Sequence, residues 1–263
     1  MLLSLDLSGK TALIGGSTQG IGLASAQALA SMGARCMLIS RNKEKLEHAL
    51  KTLDATNGQK HGYLLADYTQ PEQVREVVAA FTKDNTVHVL INNSGGPAGG
   101  PVVSAKTEDF ITAFQQHLIC NHLITLLVIE GMKKEGYGRI INIISTSVKI
   151  PLKDLGVSNT IRGAVASWAK TMANELGRFG ITVNNVLPGA TATERLTGIL
   201  NNKSIKTGKS IADVEQEMME EIPAKRFGKP EEIAAMVAFL ASPAAAYVNG
   251  TSIPVDGGRT GSI

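Results

Sequence analysis

Gly15-Gly16-Ser17-Thr18-Gln19-Gly20-Ile21-Gly22 joins the apolar segment Thr11-Ala12-Leu13-Ile14 to an alanine-rich stretch, Leu23, Ala24, Ala26, Ala28, Leu29 and Ala30, that ends at Gly33. The first segment has strand length and the second helical composition, so the glycines stand at a strand-to-helix turn. A backbone without Cβ atoms approaches a ligand closely there, and the unpaired N–H groups and dipole at a helix start favour an anion. The turn reads as a pyrophosphate cradle or as a glycine-rich turn that binds nothing. Its spacing, G-x-x-x-G-x-G over Gly16, Gly20 and Gly22, departs from the common G-x-G-x-x-G fingerprint, so the rest of the chain has to decide.

Working outward, strand-like runs recur at Arg35–Ser40, Tyr63–Ala66, Val87–Ile91, Arg139–Ile144, Ile181–Leu187 and Ser252–Val255, with helical patterns between them. Continuous apolar runs such as Ile140-Ile141-Asn142-Ile143-Ile144 suit strands covered on both faces. The alternation predicts an α/β fold: one doubly wound (Rossmann) domain over 1–263, with a mainly seven-stranded parallel sheet and helices on both faces. One long irregular insertion, polar and lysine-containing, runs from Ala190 to about Ile222, past a strand end; it reads as a substrate lid or as a solvent-exposed loop or helix pair without a role.

Composition narrows the function classes. The 263 residues with 43% hydrophobic content suffice for a sizeable core, and the net charge of +3 comes from 26 basic and 23 acidic residues spread along the chain. No Lys/Arg stripe marks a nucleic-acid surface. Cys36 and Cys120 lie apart in apolar segments without metal-ligand spacing, which predicts buried thiols in a reducing compartment and no metal. The start, Met1-Leu2-Leu3-Ser4-Leu5-Asp6, has no basic leader, and no apolar run approaches ~18 residues, so the expectation is a soluble cytoplasmic protein acting on small molecules.

Ligands of such sheets lie beyond the carboxyl ends of the strands. The second strand ends in Ser40-Arg41, with no acid at the place, about 20 residues past the glycines, where a free ribose 2′-hydroxyl is usually met. Ser40 and Arg41 suit a 2′-phosphate instead, which favours NADP(H) over NAD(H). Asp67-Tyr68 follows the third strand. Asn92-Asn93-Ser94-Gly95-Gly96-Pro97 follows the fourth as an open turn, and Pro188-Gly189 ends the sixth.

Together these stretches resemble the short-chain dehydrogenase/reductase family, in its single-domain form that includes 3-oxoacyl-carrier-protein reductases. Gly16-x-x-x-Gly20-Ile21-Gly22 is similar to the family's glycine motif, Asp67 to its adenine contact, Asn92-Asn93-Ser94-Gly95 to its Asn-Asn-Ala-Gly turn, and Asn184 to Gly189 to the strand end beside the nicotinamide. Ile222-Pro223, Arg226 to Ala234, Phe239 to Ser242 and Asp256-Gly257-Gly258 are similar to its closing segment. The resemblance implies cofactor contacts at Gly16, Ser17, Gly20, Ile21, Gly22, Ser40, Arg41, Asp67, Tyr68, Asn93, Gly95, Arg162, Pro188 and Gly189. It also implies a homotetramer and a small or carrier-bound carbonyl substrate.

The family's chemistry rests on an Asn, a Ser, and a Tyr and Lys four residues apart. Carried over position by position, the Ser is Ser145, but His117 stands at the Asn position, Ser158 at the Tyr position and Arg162 at the Lys position. None of Tyr63, Tyr68, Tyr137 and Tyr247 is followed by Lys four residues on, so no displaced pair explains the change. A serine hydroxyl is a far weaker acid than a tyrosine near pKa 10, and Arg162 supplies charge but shuttles no proton. Ser158 and Arg162 share a helix face and suit a ribose or an anionic group. His117, titrating near neutrality, is the expected replacement for proton transfer, or else a packed residue of an apolar helix. Lys149 and Lys153, in the loop after Ser145, read as site residues or as solvated lysines, and Asn121, one helical turn after His117, as a substitute for the family amide or as a helix-surface residue. Two readings stay open: an NADP(H)-dependent oxidoreductase with an altered proton path, or a nucleotide-binding regulatory or assembly partner that has lost the redox step.

Overall fold

The computed structural model describes residues 4–262. Met1 to Leu3, part of the start read above as lacking a leader, lie outside the described residues. The parallel sheet is built from β1 (Thr11–Gly15), β2 (Arg35–Ser40), β3 (Gly62–Leu65), β4 (Val89–Asn92), β5 (Gly138–Ile143), β6 (Ile181–Pro188) and β7 (Ser252–Val255), in the spatial order β3-β2-β1-β4-β5-β6-β7. The chain winds outward from β1 to β3, returns, and continues from β4 on the other side. The crevice at the carboxyl ends of β1 and β4 is therefore the place where a ligand fits between diverging connections.

Helices α1 (Gly20–Ser31), α2 (Lys43–Leu50) and α9 (Pro230–Ala241) cover one face, burying Ala26, Leu29, Leu46 and Val237 against Ile14, Leu38 and Ile141. On the other face α3 (Pro71–Thr82), α5 (Cys120–Glu135) and α6 (Gly156–Leu176) bury Val74, Ile124, Val128 and Met172 against Leu13, Leu90 and Ile140. This is the doubly wound seven-stranded domain that the alternating pattern predicts. The strand limits shift most at Val87–Ile91, which becomes Val89–Asn92; His88 still donates its N–H to the Thr11 carbonyl at 2.8 Å. Cys36 and Cys120 are free and buried.

Two expectations change. The stretch from Ala190 to Ile222 is not irregular: it holds α7 (Glu194–Thr207) and α8 (Ile211–Glu220). Thr193 and Ser210 cap their starts by accepting from Leu196 and Asp213 N–H groups, and Gly208, at φ +70°, stops α7 in the left-handed region. Only a narrow stripe, Leu196, Leu200 and Val214, is buried, and the polar residues around it masked the helical period. The second change concerns α4 (Thr107–Phe114), which runs through a wide turn at Gln115–Ile119 into α5. The continuous helix, Thr107–Glu135, is long and apolar enough by length and composition to cross a bilayer. Its inner face is nonetheless spent on the sheet and on α3 and carries polar groups, among them His117, Asn121 and Thr125, all buried.

Across four strands the sheet carries a buried amide ladder. Asn92 donates to Asn142 Oδ1 at 2.9 Å, Asn142 to Asn185 Oδ1 at 2.9 Å, and Asn185 to Ser252 Oγ at 3.0 Å. These residues are direct register partners in β4, β5, β6 and β7. Each amide satisfies the next, so polar groups buried in the sheet fix its register.

Candidate active site

The glycine turn is a cradle that side chains would fill. Gly16 and Gly20 sit at φ +55° and +54°, where other residues are strained. A Cβ on Gly22 would come within 2.2 Å of the Gly16 carbonyl oxygen. Asn93, from the end of β4, donates to the carbonyls of Gly15 and Gly16 at 3.1 and 3.3 Å and so ties the turn across the crevice. Gln19 precedes α1 in an extended conformation, its side chain caps no helix N–H, and the first turn holds no acid. An uncapped helix start of this kind leaves donors for an anion, and the residues fit a dinucleotide pyrophosphate.

Other expected contacts divide by where their side chains point. Arg41 is 73% exposed at the end of β2, its Nη1 lying 3.7 Å from Asp67 Oδ2, so both border the same edge of the crevice. Ser17 is fully buried with its hydroxyl against the Ile39 carbonyl at 3.5 Å, and Tyr68 packs its ring into the core. Burial raises the Tyr68 phenol above its ordinary value. Their side chains support the turn from the core side, leaving backbone contacts for a cofactor. A Cβ on Gly95 would meet nothing within 4 Å, which keeps the turn after β4 open. Beyond Pro188, Gly189 donates its N–H to the Val255 carbonyl at 3.0 Å, which fixes that strand end beside β7.

At the carboxyl end of β5, Ser145 caps a short turn, its Oγ accepting from the Ser147 N–H at 3.1 Å. Ser158 and Arg162 lie one helical turn apart on α6, both buried. Arg162 Nη1 donates to the Ile143 carbonyl at 2.9 Å, which brings the guanidinium to the end of β5 beside Ser145. Burial, with the charge of Arg195 added, pulls Arg162 down to about 10, so it stays cationic at neutral pH. Lys149 and Lys153 are exposed, as read from the sequence; Asn121 is buried and not a helix-surface residue.

His117 requires a correction. It sits in the wide turn between α4 and α5, is 1% exposed, and shares a 2.8 Å hydrogen bond between its Nδ1 and Ser94 Oγ. Burial first, then the charges of Arg162 and Arg195, push it down to about 2. It is a neutral imidazole at working pH, and the expected titration near neutrality does not hold.

Sequence reasoning missed the contacts of α7. Arg195 donates to the carbonyls of Gly96 and Pro97 at 2.9 and 3.1 Å, and Glu194 accepts from Gln19 Nε2 at 2.8 Å. The first turn of α7 is thus pinned over the ends of β4 and β1. The only sequence signal was an acid and a base next to each other at the start of the variable insertion.

Comparison with known proteins agrees with this architecture. Residues 16–260 match the family described as "Enoyl-(Acyl carrier protein) reductase". The chain is 32% identical over 261 residues to a gluconate 5-dehydrogenase of Gluconobacter oxydans, covering 98% of this chain and 97% of that one. It is 33% identical over 257 residues to a 3-oxoacyl-[acyl-carrier-protein] reductase of Vibrio cholerae, covering 97% and 98%. Among solved structures, L-sorbose reductase from Gluconobacter frateurii, complexed with NADPH and L-sorbose, superposes with a TM-score of 0.92 at 29% identity, over 99% of this chain and 100% of that one. With the glycine cradle, the switch-point crevice and this full-length similarity in hand, the chain belongs to the short-chain dehydrogenase/reductase family of oxidoreductases.

Proposed function

We propose that the protein is a cytoplasmic NADP(H)-dependent oxidoreductase that reduces a carbonyl group, or oxidises the corresponding alcohol, by an altered proton path. The observation that carries this reading is the uncapped, acid-free start of α1 behind its glycine cradle, with Arg41 in place of an acid at the end of β2. The NADPH held by the sorbose reductase supports it. NADP(H), when bound, supplies or accepts the hydride. The α1 N–H groups and Gly16, Gly20 and Gly22 hold the pyrophosphate, and Arg41 with Ser40 takes the 2′-phosphate.

The chain's own residues handle the substrate oxygen. The Ser145 and Ser158 hydroxyls donate to it, and the buried positive charge of Arg162 stabilises the alkoxide as it forms. Neither Arg162 nor neutral His117 releases a proton at pH 7, so the proton enters from water through the serine hydroxyls. We further propose a homotetramer and a lid role for the segment from Ala190 to Ile222, after the family resemblance; Ile111, Phe114 and Leu126 leave an exposed apolar surface on α4 and α5 suited to subunit contact.

The test is NADPH consumption with a broad carbonyl panel. Turnover is expected, with kcat lowered about 100-fold in Ser145→Ala. The second reading, a nucleotide-binding partner without redox chemistry, is favoured by the joint replacement of Tyr and Lys by Ser158 and Arg162. It is supported if the wild type is inert while Ser158→Tyr with Arg162→Lys turns over, and an active wild type excludes it.

A further inference from the structure

Arg162 and His117 lie near enough for the guanidinium charge to act on the imidazole, and both are left with unspent hydrogen-bonding capacity. Arg162 is 8% exposed and makes one hydrogen bond, from Nη1 to the Ile143 carbonyl. Among the described residues it forms no ion pair, and neither does Arg195. The other guanidinium nitrogens of Arg162 are not among the enclosed atoms without a partner, so they stay open to an anion from the cleft. His117 Nε2 is buried without any hydrogen-bond partner. The ring's Nδ1 is taken by Ser94 Oγ at 2.8 Å. Two arginines whose charges bear on one another, with no acid paired to either, make a site for a negative charge.

The cofactor does not fill this need. Its pyrophosphate belongs at β1, and β5 stands two strands away, about 10 Å at ordinary strand spacing. Ribose hydroxyls near Arg162 are neutral and leave its charge unpaired. Arginine in place of lysine adds a planar fork that matches a carboxylate with two parallel bonds.

We propose that the substrate is a small free oxo acid, or the matching hydroxy acid, whose carboxylate is taken by the Arg162 guanidinium, beside His117, while its reacting oxygen meets Ser145 and Ser158. This rests on the oxidoreductase reading and selects a free acid over a neutral carrier thioester. In the reductive direction the carbonyl carbon gains a hydride from NADPH and its oxygen a proton from water, giving the hydroxy acid and NADP⁺ with the carboxylate unchanged.

The experiment is a binding measurement on the full chain saturated with NADP⁺, where reduction is impossible. Pyruvate, acetoacetate and levulinate, which differ in the distance from carboxylate to ketone, are each titrated against their methyl esters by calorimetry, and the His117 Nε2 resonance is followed by ¹⁵N NMR. At least one acid is expected to bind about 10- to 100-fold tighter than its ester and to shift the His117 signal saturably. Arg162→Gln is expected to abolish the preference and Arg162→Lys to retain part of it. Should the glutamine variant not fold, the wild-type acid-over-ester ratio and the His117 shift decide alone. Esters binding as well as every acid, no acid binding at all, or a His117 signal unmoved at saturation overturns the proposal. An acid preference without NADPH-linked turnover of any carbonyl defeats the oxidoreductase reading and leaves the anion site standing; turnover of neutral ketones without an acid preference does the reverse.

Discussion

His117 sets the clearest expectation at the scale of single residues. Its pKa in the folded chain is about 2, against an ordinary value of 6.5. A histidine held neutral by the fold contributes stability above pH 6.5 and loses it as pH falls, because only the unfolded chain takes up the proton. Between pH 6.5 and about 2 this one group makes unfolding easier by about 1.4 kcal/mol per pH unit. His117→Gln therefore flattens the acid limb of a stability-against-pH curve measured by urea unfolding; an unchanged slope contradicts the burial argument. Arg41 makes a second test. Its exposed pair with Asp67 is weak and leaves it free for a phosphate, so Arg41→Ala is expected to weaken NADPH binding about 10- to 100-fold, and NADH binding hardly at all. The candidate residues could be located in the sequence one by one, since Ser145, Ser158 and Arg162 keep their motif spacing. The state of His117 could not, because it depends on burial and on Arg195, which lies far along the chain.

At the scale of elements, the glycine turn, the amide ladder and α7 each carry a consequence. A Cβ at Gly22 collides with the backbone of Gly16, so Gly22→Ala is expected to abolish saturable NADPH binding, read by fluorescence titration. Asn185→Val removes the middle of the ladder and leaves the Asn142 amide and Ser252 hydroxyl short of a partner. It should cost about 1–3 kcal/mol in a thermal or urea unfolding measurement. Arg195→Met releases α7 from Gly96 and Pro97, and faster amide hydrogen exchange is expected in the first turn of α7, with the sheet unchanged. The strands were legible because parallel strands buried on both faces read as unbroken apolar runs. Helices α7 and α8 were not, since each buries only a thin stripe; Thr193, Ser210 and Gly208 were the signals available. The wide turn at His117 has no composition signature.

On the scale of the whole molecule, the sheet order sends the chain outward on both sides of the crevice at β1 and β4, and the two halves of the site come from opposite wings. The β1 to β3 wing carries the cradle, Arg41 and Asp67, and it keeps the pattern of the family. The β4 to β7 wing carries Ser94, His117, Ser145, Ser158 and Arg162. Binding of NADP(H) by the β1 to β3 wing is the central claim. Titrating the wild-type chain with NADPH and with NADH, followed by nicotinamide fluorescence, tests it most directly: the prediction is saturable binding of one NADPH per chain, at least about 10-fold tighter than NADH. Absence of saturable NADPH binding, or NADH binding as tightly, would contradict it.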